Sequence, residues 1–117
     1  MEHNLFTFEG LKVFQAARDA LRLVIEHRER MKGLPGEMRS QLERALVSVV
    51  ANIAEGAGRE SRADQRRHYA IARGSAQEAA AILSIAALYC ALPEEAHGTL
   101  RARLLSTVKM LHGLMRR

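Results

Sequence analysis

Aromatic residues are scarce in this chain: three Phe, two Tyr and no Trp make up 4% of its 117 residues. A core must then be built from Ala, Leu, Ile, Val and Met. That palette suits close helix packing and counts against a β-sandwich, whose strands favour aromatic and β-branched side chains. Cysteine occurs once, at Cys90, which excludes an internal disulfide and points to a reducing compartment. With apolar neighbours around it, Cys90 reads as an inert core thiol. No apolar run reaches the ~18 residues of a membrane span. The N-terminal stretch from Met1 to Gly10 has neither a basic start nor a long apolar segment, so no secretory leader is expected and the expected location is cytoplasmic.

The residues that are present describe an ordinary globular domain, 48% hydrophobic and 26% charged, with room for one core spanning residues 1–117. Its formal charge is +5 and its pI about 10.1. Arginine carries most of the excess, since Lys stands only at positions 12, 32 and 109. The planar guanidinium fork suits phosphate, and it suits inter-subunit ion pairs equally well.

Breaker residues divide the chain into four periodic segments, about 11–31, 37–58, 62–92 and 94–116. Gly33-Leu34-Pro35-Gly36 marks the first boundary, Gly56, Gly58 and Ser61 the second, and Leu92-Pro93 the third. The first segment places Val13, Ala17, Leu21, Val24 and Ile25 on one face, and the second repeats Met38, Leu42, Ala45, Val49, Ile53 and Ala57 at helical spacing. The last carries a heptad-like seam of Leu100, Leu104, Val108, Leu111 and Met115. Short connections between such helices predict an all-α, antiparallel up-down-up-down four-helix bundle. Beyond Arg73 the third segment is small and apolar nearly all round, from Ala76 to Leu88. Two readings stand: a second buried face at a subunit interface, or alanine serving only as a good helix former.

Sites of chemistry are hard to find. The five His residues, at 3, 27, 68, 97 and 112, include no i, i+4 pair that would clasp a metal. A single Glu94-x-x-His97 lies at a helix start, where acids complement the dipole, whereas a di-iron bundle needs two such motifs in mid-helix. Gly56-Ala57-Gly58 follows a helix and lacks the Gly-Lys-Ser/Thr ending of a phosphate loop. Gly74-Ser75 lacks the flanking pattern of a nucleophile elbow. The expectation is a binding protein with no catalytic residues, no metal and no cofactor.

Polar residues do interrupt the apolar stretches around the second turn. Asn52, Glu55, Arg73, Ser75 and Glu78 are expected to form a structural network, with Asn52 and Arg73 in reach of each other across an antiparallel pair. The same hairpin is basic through Arg59, Arg62, Arg66, Arg67 and His68, opposed by Glu60 and Asp64. After Glu95 the last helix has Arg101, Arg103, Lys109, Arg116 and Arg117 with no further acid. Such a surface can hold phosphates, and a charge run can also be a solvated face.

Four stretches carry a resemblance. They are Leu11-Lys12-Val13-Phe14-Gln15-Ala16-Ala17, Ser48 to Arg59 with Asn52-Ile53-Ala54-Glu55-Gly56 inside it, Tyr69 to Glu78 with Ala72-Arg73-Gly74-Ser75, and Leu111-His112-Gly113-Leu114. They resemble the small four-helix-bundle family of 23S rRNA intervening-sequence (S23-type) proteins, whose relatives include accessory proteins of diversity-generating retroelements. Departures are local. Phe14 stands where Trp is common, and Val50 replaces a usual proline, which removes the reason for a kink there. Arg66, Arg67 and His68 replace a more apolar run, and Ala79 and Ala81 thin the pattern after Glu78. The resemblance implies a homopentameric ring with a positively charged surface or channel, and such a ring needs two different faces per subunit.

The reading that follows is a basic, oligomeric protein binding structured RNA or other nucleic acid. Arg59, Arg62, Arg66, Arg67, Arg101 and Arg103 would contact phosphates by shape and charge. The protein would then serve as an accessory to an RNA or reverse-transcriptase complex. The competing reading is an oligomeric scaffold or adaptor that binds a protein partner and no nucleic acid, with the arginines used in inter-subunit pairs.

Overall fold

The computed structural model describes residues 5–117. Residues 1–4, which carry His3 and the start of the segment read as lacking a leader, lie outside them. Four helices account for most of the described chain: α1 Lys12–Glu26, α2 Gly36–Ala57, α3 Arg62–Leu88 and α4 Glu94–Met115. Each packs on its neighbours in sequence, and α1 closes the bundle against α4. No strand occurs among the described residues, and no helix there is long and apolar enough to cross a membrane.

Periodicity explains the core. Val13, Ala17, Ala20 and Val24 of α1 turn inward, as do Leu42, Leu46, Val49 and Ile53 of α2. Ala72, Ala76, Ala79, Leu83 and Ala86 supply α3's share, and Leu100, Leu104 and Leu111 that of α4. Thr107, a polar side chain buried on α4's inward face, is satisfied within its own helix, its Oγ1 donating to the Arg103 carbonyl at 2.7 Å. Alanine dominates α3's inward face, so its neighbours approach closely. Val50 leaves α2 unbroken from Gly36 to Ala57.

Two helices are shorter than their periodicity suggests. The first stops at Glu26 rather than near residue 31, because His27 turns its Nδ1 back onto the Leu23 carbonyl at 2.8 Å. A 3-10 turn, Arg30–Gly33, then folds Met31 and Leu34 under the bundle, both buried. The third stops at Leu88 rather than near residue 92. There Ala91 N–H donates to the Ala86 carbonyl and Cys90 takes a left-handed conformation, φ 52°. This is the helix-ending turn that normally uses glycine. It lets Ala91 and Leu92 fold into the core ahead of Pro93. Cys90 is therefore exposed, not a core thiol: burial of its neighbours pushes its own side chain outward.

In the single chain α3 is also not buried all round. Its inward stripe is covered, while Ile71, Ile85 and, at 83% exposure, Leu88 face solvent.

Candidate nucleic-acid interface

The α2–α3 hairpin is positioned by a glycine and an amide. A Cβ at Gly56 would stand 2.8 Å from Tyr69 Cε1 and 3.1 Å from His68 Cβ, so only glycine lets the two helices come this close. One turn earlier, Asn52 Nδ2 donates to the Ser48 carbonyl at 2.9 Å and to Ser48 Oγ at 3.2 Å. Its Oδ1 accepts from His68 Nδ1 at 3.1 Å. Arg67 donates to His68 Nε2 at 3.2 Å, and since a guanidinium can only donate, the His68 proton sits on Nδ1. Ser48 and Ser75 hydroxyls meet at 2.8 Å. The contacts 48 to 75 and 52 to 68 run in opposite directions, so α2 and α3 are antiparallel.

The expected network is therefore divided. Asn52 bonds to Ser48 and His68, not to Arg73. Arg73 leans the other way, across α3, and donates to His112 Nδ1 of α4 at 3.3 Å. The helical phase explains this: Arg73 lies five residues after His68, on the flank of α3 that faces α4. Ser75 belongs to the α2 side through Ser48. Glu55 is an exposed partner of Arg59, and Glu78 is exposed with no ion pair among the described residues. Sequence reasoning missed Ser48 and His68 as members. The signal for His68 was its place on α3's inward stripe, one residue before Tyr69 and four before Ala72.

Next to this hairpin lies the basic end of the bundle. Ser61 Oγ caps α3 by accepting from Asp64 N–H, and Gln65 Nε2 donates to the Arg59 carbonyl at 2.9 Å, closing the turn. Arg62, Arg66 and Arg67 are exposed in α3's first two turns. They add to the positive pole of the helix dipole, where acids are the usual choice. The C-terminus of α4 joins them. Burial pushes the Tyr69 phenol above its ordinary value, and the charges of Arg117 and Arg62 pull it the other way. Lys12 and Arg117 flank a cavity of about 290 Å³ between the start of α1 and the end of α4. Lys12 and Arg117 thus extend the hairpin patch, although both stood outside the six arginines expected to contact phosphates.

The six arginines do not share one surface. Arg59, Arg62, Arg66 and Arg67 gather at this end, whereas Arg101 and Arg103 lie about 20 Å back along α4. Three of the six have acids of their own: Arg59 pairs with Glu55, Arg67 approaches Asp64 at 3.7 Å, and Arg103 approaches Asp19 at 3.9 Å. Arg62, Arg66 and Arg101 have no ion pair among the described residues.

An all-α bundle with a polar-locked central hairpin and a basic end is the class these features define. Residues 9–113 match the family model described as 23S rRNA-intervening sequence protein. The chain belongs to that family. A crystal structure from Bacteroides thetaiotaomicron VPI-5482, of a protein with unknown function from the S23 ribosomal protein family, is similar in fold. Its TM-score is 0.72 at 21% identity, covering 87% of this chain and 99% of that one. No curated protein matches the chain.

Proposed function

We propose that this protein acts in the cytoplasm as a non-enzymatic homo-oligomer, a pentamer by the family resemblance, that binds structured RNA through its basic end. The observation that carries this reading is the convergence of Arg59, Arg62, Arg66 and Arg67 with Lys12 and Arg117, opposed nearby by Glu55, Glu60 and Asp64. Recognition is by shape and phosphate charge, the side chains of the cluster being cationic and none of them aromatic. Arg101 and Arg103 lie too far along α4 to share one phosphate with the hairpin, and belong to a second contact strip if they touch the nucleic acid. A role beside a reverse transcriptase follows only from the family's relatives.

The test is titration of labelled structured RNA and duplex DNA at low and near-physiological salt. Sub-micromolar RNA binding that weakens steeply with salt is expected. Arg66→Ala with Arg67→Ala should weaken binding to every sequence and lower the salt slope by about 2. No binding at low salt would end the RNA reading.

A scaffold for a protein partner is the second reading, favoured by the exposed Ile71, Ile85 and Leu88 on α3. It expects the assembly to form, and a protein to be held, with the double variant unimpaired.

A further inference from the structure

The opposite flank of α3 opens where the α2 flank closes. A groove of about 380 Å³ runs between α3 and α4. Its floor is Leu83 and Leu104, both nearly fully buried. Its walls are Ala80 and Ala87 on one side and Leu105 and Val108 on the other. The groove exists because α3 places alanines seven residues apart where α4 presents large side chains.

Polarity changes along it. Since Arg73 meets His112 in an antiparallel pair, Ser84 comes opposite Arg101, Ala80 opposite Leu105 and Gln77 opposite Val108. His97 and Arg101, four residues apart, share one face of α4. Ser84, His97 and Arg101 therefore form a polar, cationic head, and about 10 Å of apolar trough follows toward Gln77. None of the lining residues, all among those described, is acidic. Arg101 has no ion pair there, and His97 Nε2 is buried with no hydrogen-bond partner. A cation without an acid and an unsatisfied ring nitrogen beside an apolar trough suit one kind of ligand.

We infer that this groove binds a small amphipathic anion: an aliphatic monocarboxylate whose chain lies along Ala80, Leu83, Leu104 and Leu105 and whose carboxylate is held by Arg101. His97 and Ser84 complete the head. The site lies apart from the basic end, so loss of RNA binding through Arg66 and Arg67 leaves it standing, and only Arg101 is shared with the second contact strip.

Octanoate and its neutral counterpart octanol are the probes, titrated calorimetrically into the full-length protein with thermal unfolding followed in parallel. Octanoate should bind saturably, raise the unfolding temperature, and bind about fivefold more tightly than octanol, the factor a partly exposed ion pair supplies. Arg101→Gln should erase that preference while leaving octanol binding unchanged. Ala80→Leu should fill the trough and abolish binding of both. Ala87→Leu, at an exposed wall position, should weaken both and serves where Ala80→Leu fails to fold. Absence of saturable binding to the wild-type chain overturns the inference. Equal affinity for octanoate and octanol does so as well, as does wild-type binding by both alanine variants.

Discussion

The two flanks of α3 are built from similar residues and behave differently. Toward α2 the helices are locked: Gly56 admits the Tyr69 ring, Asn52 ties Ser48 to His68, and the Ser48 and Ser75 hydroxyls meet. Toward α4 a single polar contact among the described residues, Arg73 to His112, stands at one end of an open groove. Both flanks are rich in alanine and glycine. The difference lies in what faces them: small residues facing small residues bring backbones together, while small residues facing leucines at the wrong phase leave space. A closed flank of this kind holds the basic turn in one shape, and an open one is free to take a ligand.

The comparison can be broken most forcefully at Gly56. Gly56→Val forces branched carbons into the Tyr69 ring and should cost about 2–3 kcal/mol, read by urea denaturation. A neutral result would mean that the hairpin is not closely packed. Next in size is Asn52→Ala, which strips His68 Nδ1 and Ser48 of a partner in a half-buried setting. A loss of about 1–2 kcal/mol is expected, without change in helix content by circular dichroism. Smallest, and opposite in sign, is Gly74→Ala. An added Cβ there meets nothing within 4 Å, so the helix should gain about 0.5–1 kcal/mol. A gain at Gly74 beside a loss at Gly56 would separate a glycine needed for packing within the chain from one that is not. A loss at both would show Gly74 to be covered in solution by another copy.

Much of the fold is legible in the sequence because it rests on local rules. Leucines and valines at helical spacing name the inward faces, and the glycine and proline clusters name the turns. Helix ends are less so. His27 stops α1 through a side-chain bond to Leu23, and α3 stops early because Ala91 and Leu92 find burial. Both depend on competing partners that a periodic pattern does not contain. The expectation of a buried Cys90 fails for the same reason: its apolar neighbours are buried by a turn that points its thiol out.

The candidate site divides along the same line. Charge is additive along a chain, so the basic hairpin and the basic last helix can be counted residue by residue. Which arginines stand together cannot, because that depends on helix phase and antiparallel register. Sequence alone settled the all-α class, the inward faces, the basic hairpin and the family motifs, since each follows from residues a few positions apart. Only the tertiary structure decided that Asn52 answers to His68 and Arg73 to His112. It also joined Arg117 and Lys12 to the hairpin patch while leaving Arg101 beside an open groove, because those neighbours are set by how separate helices rotate and slide against one another.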